Sequence, residues 1–296
     1  MDPRNDIQEF LTSRRARLTP EDVGLPSYGD RRRVRGLRRE EVAMLAGVSV
    51  DYYARLERGR LSGASDAVLD AIAGALRLDG AEYQHLRDLA LAAGPVPPRL
   101  RRRAKAEADA GLRPAVTSIL TGLVGVPAYV RNARGDILAA NALCRALYDG
   151  VLDADRLPVN LARFLFLDPQ ARTFFREWDA VADDLVGAMR LHAGKDPRNR
   201  PLSDLVGELS TRSDEFVRRW ARQDVRIHRT ARKRLRNSIV GDIELTGDAL
   251  ELAGDDLVLI AYTAEPGSPA AEQLAVLASW ATTDTQSRTR DEAHHV

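Results

Sequence analysis

Apolar residues recur at helical spacing five times before residue 95. Ile7, Phe10 and Leu11 predict a first helix over about Arg4–Leu18. Val42, Leu45 and Ala46 form the inner face of a second, over about Arg38–Ala46. Gly47-Val48 then breaks the chain, and Ser49 is a natural N-cap for a third helix that runs to Arg58 and stops at Gly59. Val68, Leu69, Ile72, Ala73 and Leu76 predict a fourth over Ser65–Leu76, and Leu86, Leu89 and Ala90 a fifth over Ala81–Ala92.

The pattern then changes. Gly94–Pro98 (GPVPP) forbids helix continuation, and Arg99–Lys105 is a solvated charge run. This predicts a first domain over residues 1–95, a linker over 96–111 and a second domain over 112–282. Pro127–Ala133 and Asp136–Ala140 are expected strands around an Ala-Arg-Gly-Asp turn, with a helix over Asn141–Tyr148. A mostly helical middle spans about Asn160–Asp224. Ile239–Leu245, Leu250–Leu252 and Leu257–Thr263 are further strands, separated by Gly-Asp turns. A last helix ends near Trp280, and the polar tail 283–296 is expected to be disordered.

Composition adds two constraints. The 296 residues suffice for about two domains at roughly 100–200 residues each. No apolar run reaches the roughly 18 residues of a membrane helix, and MDPRNDIQEF has no apolar leader, so no membrane partner is expected. The single Cys144 cannot form an internal disulfide, which fits a cytoplasmic location. The net charge of +1 hides an asymmetry: residues 1–105 carry 20 Lys/Arg against 15 Asp/Glu, residues 106–296 carry 24 against 28. A polyanion partner is therefore expected at the front. Catalytic chemistry finds no support. There is no Gly-x-Ser-x-Gly elbow, phosphate-cradling glycine loop or His-Glu-x-x-His, and no Cys/His set has metal-ligand spacing. No catalytic residue, metal or cofactor is expected.

The stretch Leu37–Gly59 (LRREEVAMLAGVSVDYYARLERG) lays two short helices across a glycine turn, with Val42, Leu45, Val48, Tyr53 and Leu56 on one inner face. That is the physical recipe for a helix-turn-helix, whose second helix enters the major groove of double-stranded DNA. It resembles the lambda-repressor-like, XRE-type regulators over roughly residues 1–95. The resemblance implies that Val50, Asp51 and Arg55 face base edges, beside Tyr52 and Ala54. Arg55 can fork onto guanine and Val50 can pack on a thymine methyl. Asp51 either accepts from cytosine or only stabilises the helix N-terminus. Arg39, Arg58 and Arg60 are expected phosphate contacts, and Glu57 a structural partner for a nearby arginine. The Arg31–Arg35 cluster is open between flanking DNA and a solvated loop. Family members usually read two half-sites, which implies a homodimer on a near-palindromic operator.

The second domain resembles the MmyB-like regulator ligand-binding domain, which is PAS-like. Three stretches carry this: Pro127–Ala133 through Asn141; Asn160–Phe166 with Phe174–Trp178; and Trp220–Val225 with Val240–Leu245 and Tyr262–Ser268. Where the family commonly has His-Pro before the Val-Gly strand, this chain has Asn237-Ser238. The implied fold class is α+β: an all-α five-helix helix-turn-helix domain, then a PAS-like domain with a small antiparallel sheet and extra helices. The implied ligand is small and apolar, possibly fatty-acid-like. Phe164, Phe174, Trp178 and Trp220 are candidates to line its pocket, though each is equally at home in an ordinary core. Arg222, Arg226 and His228 are candidates to hold a carboxylate. A C-terminal domain that only dimerises or recruits a protein stays open, as does an enzyme with an appended helix-turn-helix.

Overall fold

Ser49, Ser65 and Asp79 each begin a helix by accepting hydrogen bonds from the free N–H groups of its first turn. Ser49 takes Tyr52 N at 3.2 Å, Ser65 takes Val68 N at 3.4 Å, and Asp79 takes Ala81 N and Glu82 N at 2.9 Å. Glu82 returns the favour to Asp79 N, closing a capping box. With α1 (Pro3–Arg17) and α2 (Arg39–Leu45), these caps define α3 (Val50–Glu57), α4 (Asp66–Ala75) and α5 (Gly80–Ala92). The computed structural model describes residues 3–26, 36–94, 112–152, 157–197, 199–225, 230–253 and 256–294; for Pro3 and for 283–294 it describes the backbone alone. The expected linker, the Arg31–Arg35 cluster, Arg226 and His228 lie outside these residues.

The five helices share one core. Ile7, Phe10 and Leu11 of α1 meet Val42, Tyr53, Leu56, Ile72, Leu86 and Leu89, all nearly or wholly buried. Burial of each such side chain contributes about 1.5–3 kcal/mol over exposure. Two glycines are required. Gly47 turns α2 into α3 at φ 63°, and Gly59 ends α3 at φ 86°, where a Cβ would stand 2.5 Å from Arg4 O. Leu45, expected on the inner face, is instead 36% exposed, because α2 ends there and the chain leaves through Ala46 and Gly47.

The compact units do not follow a linear boundary. The first comprises Met1–Pro98 with Val186–Val206 and Val217–Ile227, and the second Arg99–Leu185, Gly207–Phe216 and His228–Val296. Helical periodicity over 160–224 tells where helices run, not which core each face enters. In the first unit Leu191 and Val225 join the core of the five helices.

The second unit is built on a six-stranded antiparallel sheet of order β3-β2-β1-β6-β5-β4. Its strands are β1 (Ala128–Asn132), β2 (Asp136–Ala140), β3 (Val159–Asn160), β4 (Thr230–Asn237), β5 (Gly241–Leu252) and β6 (Leu257–Thr263). The turn from β1 to β2 is organised by Asn132, whose Oδ1 accepts from Arg134 N and Asp136 N, while Gly135 takes φ 80°. β5 is one strand where two pieces were expected. It passes through Gly247, where a Cβ would stand 2.9 Å from the Tyr262 ring. β4 was not expected at all, since its alternation sets Arg232, Arg234 and Arg236 outward against Ala231, Lys233 and Leu235. Its outer edge is capped by a bridge from Phe175 to Leu235 and by Arg176 N donating to Arg234 O at 3.0 Å.

Helices complete this unit: α6 (Pro114–Gly122), α7 (Ala142–Leu147), α8 (Leu161–Leu167), α9 (Ala171–Phe174) and α13 (Pro269–His294). Three more, α10 (Trp178–Lys195), α11 (Arg200–Arg212) and α12 (Asp214–Ala221), contribute residues to both units. Val116 and Leu120 of α6 pack on Ala128, Val130 and Leu259. The last helix, expected to end near Trp280, runs to His294; no proline or glycine follows Pro269 to stop α13. Among the described residues no helix is long and apolar enough to cross a membrane.

Candidate functional site

Two sites arise from this fold, one in each unit. In the first, the Ser49 cap sets the opening turn of α3 at the surface. Val50 is 44% exposed, and Asp51 and Arg55 are exposed one helical turn apart. The Arg55 guanidinium lies 5.5 Å from the centre of the Tyr52 ring, which steadies it without consuming its donors. Arg58 and Arg60 are exposed just beyond the helix, and Arg58 Nε donates to Ala54 O at 3.0 Å.

Glu57, the last residue of α3, is wholly buried. Its Oε1 accepts from Arg15 Nε at 3.0 Å, Arg15 Nη2 at 2.9 Å and Thr12 Oγ1 at 3.0 Å, all from α1. Its Oε2 accepts from Arg39 Nε at the start of α2. Burial works to raise this carboxyl's pKa, but the bonds and charges of Arg39 and Arg15 outweigh it and hold the group below its ordinary value. Arg39, one of the expected phosphate contacts, is thus tied to Glu57 on one side of its guanidinium while its side chain stays half exposed.

The second site is a small cavity of about 50 Å³ with an open mouth. The pleat supplies one wall: Tyr129 and Arg131 of β1 alternate onto the face that also carries Ile260 and Tyr262 of β6. Lys233 of β4 joins them, with Val181, Asp184 and Leu185 of α10 opposite, and Tyr148, Leu161 and Phe175 between. Apolar side chains line it beside six residues that carry a polar or charged group, the two kinds of surface a small-molecule site combines.

Those polar groups are largely paired. The hydroxyls of Tyr148 and Tyr262 share a 2.5 Å hydrogen bond, and the Tyr129 ring stands 5.8 Å from Tyr148 and 6.3 Å from Tyr262. Burial, then the neighbouring phenols, hold Tyr148 and Tyr262 well above the ordinary tyrosine pKa, so both stay neutral. Burial likewise pushes the Cys144 thiol up, which leaves it protonated and inert. Lys233 Nζ donates to Asp184 Oδ2 at 2.9 Å. Arg131 is 7% exposed, and its Nη1 donates to Asn132 O at 3.2 Å.

None of the four expected pocket residues is among the lining of this cavity. Phe164 and Phe174 stand behind it: Phe174 packs 4.8 Å from Phe175 and 5.0 Å from Tyr148, and Phe164 lies 6.2 Å from Phe175. Trp178 donates its indole N–H to Leu165 O at 3.0 Å and is covered by Arg172, 3.9 Å from its ring. Trp220 belongs to the first unit, under the Arg190 guanidinium at 3.9 Å. Arg222 is exposed and also belongs to the first unit. The residues that do line the cavity left a fainter trace: an arginine in the middle of an otherwise apolar strand, and tyrosines two apart from apolar neighbours.

At Asn237, where the family resemblance breaks, the amide replaces what it lacks. Its Nδ2 donates to Ala146 O at 2.8 Å and Leu147 O at 3.2 Å, and its Oδ1 accepts from Ile239 N and Val240 N. The role here is structural: it joins the β4–β5 turn to α7.

Comparison with known families assigns a domain to each of the two regions. A helix-turn-helix domain model matches residues 29–86, and the model of the MmyB-like transcription regulator ligand binding domain matches residues 112–277. No curated protein matches the chain. Both families are domains of transcription regulators rather than enzyme families. Since the second match alone spans more than half of the chain, the protein belongs to the MmyB-like transcription regulators, a DNA-binding helix-turn-helix domain followed by a ligand-binding domain.

Proposed function

We propose that the protein is a sequence-specific regulator whose DNA binding responds to a small apolar molecule held in the cavity of the second unit. The observation that carries this is the cavity itself, with Phe175, Val181, Leu185 and Ile260 as apolar wall beside three tyrosines and three charged side chains. On the DNA side, Val50, Asp51 and Arg55 read base edges, and Arg39, Arg58 and Arg60 hold phosphates. Residues 1–95 carry the reading surface, and 112–282 the sensor.

The regulator acts as a homodimer on a near-palindromic operator, with half-site centres about 34–36 Å apart or a multiple of that. Val276 and Trp280, four residues apart on α13 and both exposed, support a self-contact there. To regulate, the ligand must favour one DNA-binding state over the other, because equal affinity shifts nothing.

Gel-shift titration with the mapped operator, with and without molecules that raise the melting temperature, tests the proposal. A stabilising molecule that also changes operator affinity supports it. If no small molecule co-purifies or stabilises the protein, the sensor role falls and a purely dimerising second domain takes its place.

A further inference from the structure

Gln223, two residues past α12, is 3% exposed and takes a left-handed backbone at φ 57°, which crowds any residue that has a Cβ. Such a backbone persists only where its surroundings over-determine it. Here they do. Gln223 Oε1 accepts from Arg190 Nη1 at 2.6 Å, its Nε2 donates to Glu9 Oε2 at 2.5 Å, and its carbonyl accepts from Arg14 Nη2 at 2.5 Å. Arg190 also donates to Trp220 O at 2.5 Å and lies 3.9 Å over the Trp220 ring. Beside them Arg17 donates to Arg222 O at 2.8 Å and to the Asp224 carboxylate.

These contacts all lie in the first unit, yet they join two parts of the sequence. Arg190, Trp220 and Gln223 fall within the ligand-binding match of 112–277, whereas Glu9, Arg14 and Arg17 belong to α1. Arg15, the neighbour of Arg14, donates to the buried Glu57 at the end of α3. One helix thus carries Gln223 on Arg14 and the reading helix on Arg15. On the other side, α10 leads away from Arg190. Leu185, five residues earlier, lines the cavity with Asp184 and Val181, a rise of about 7.5 Å along the helix. The far end of α10 is pressed onto α5, since a Cβ at Gly194 would stand 2.4 Å from the His85 ring.

We infer that Gln223 and Arg190 are positioning residues for operator reading: they seat α1, and α1 seats α3 through Arg15 and Glu57. α10 is the route by which a change in the cavity lining reaches this bridge. The role of α10 rests on the cavity being the sensor site; the seat of α1 does not.

Gel-shift titration of the full chain on the mapped operator and on unrelated DNA tests this, with urea denaturation alongside. Gln223→Gly keeps the carbonyl for Arg14 and suits the left-handed backbone, but removes the amide that joins Arg190 to Glu9. It should weaken operator binding about threefold or more and leave unrelated DNA within about twofold. Arg190→Met cuts the same bridge from its other end and should match it, with the combination no weaker than either alone. Leu185→Phe enlarges a cavity-lining side chain with no ligand present. It should shift operator affinity about threefold or more in the wild type, and much less beside Gln223→Gly. Lost stability with unchanged operator affinity in both bridge variants makes the bridge merely structural and overturns its positioning role. An undiminished Leu185→Phe effect beside Gln223→Gly, or no effect in the wild type, overturns the route along α10. A stabilising molecule that still shifts operator affinity in Gln223→Gly also overturns the route, while the sensor stands. Arg190→Met carries each comparison if Gln223→Gly does not fold.

Discussion

Arg39 and Glu57 form an ion pair whose acid is wholly buried and whose base is half exposed. Together with Arg15, the pair fastens the end of α3 to α1 and to the start of α2. Removing the acid would strand the 13%-exposed Arg15. Glu57→Ala should therefore cost about 3–5 kcal/mol, as for other broken buried pairs. Arg39→Ala should cost only about 1 kcal/mol, because half of its side chain is already solvated. Urea denaturation of the two variants and of their combination checks this, and equal losses would deny Glu57 its central place.

Arg55 and Arg60 should separate base reading from phosphate holding. Arg55→Ala is expected to weaken operator binding by about 1–3 kcal/mol and to spare binding to unrelated DNA. Arg60→Ala should weaken both and flatten the salt dependence by about one unit. Gel shifts at several salt concentrations measure each quantity. An unchanged operator preference in Arg55→Ala would remove that residue from the readout.

His85 makes the first unit sensitive to acid. Its ring packs edge-on to Phe10 at 5.0 Å, and Nδ1 has no hydrogen-bond partner. Burial, then the charges of Arg190 and Arg14, push its pKa down to about 3. A histidine depressed in the folded state takes up its proton mainly on unfolding. The stability of the neutral ring is complete above its ordinary value near 6.5 and is lost as pH falls towards 3. Its contribution to the slope is at most about 1.4 kcal/mol per pH unit. Thermal unfolding between pH 7 and pH 4 should show a shallower slope for His85→Leu than for the wild type.

Asn237 should resist replacement by the family's histidine. Its amide gives two bonds and accepts two, whereas a neutral imidazole offers one donor and one acceptor. Asn237→Ala is expected to cost about 2–4 kcal/mol, summed over the four lost bonds. Asn237→His should fall short of the wild type in denaturant titrations, and a full rescue would contradict the geometry.

The parts of the fold legible in the sequence are those in which pattern and burial coincide. The cap at Ser49 and the inner faces of α3 and α4 were readable because short-range periodicity determines them. β4 was hidden, because its outward positions carry arginine and its inward ones include Ala231 and Lys233, so no apolar alternation remains. Gly247 suggested a turn, but its missing side chain instead admits the Tyr262 ring. The surface of α3 followed from local geometry. The cavity did not, since its lining comes from strands, helices and turns far apart in the chain. Aromatic density pointed to Phe174 and Trp178, while tyrosine and arginine positions on the pleat supply the lining.

The composite make-up of the first unit sets an order on its making. A ribosome delivers α1 to α5 first, yet Leu191 and Val225 complete their core, and Gln223 accepts the buried Arg14 of α1. Until the chain has been synthesised past Val225, Arg14 has no such acceptor and the core stays open at those two positions. The first unit therefore lacks these two core residues and this acceptor until residue 225 of the 296 has been translated.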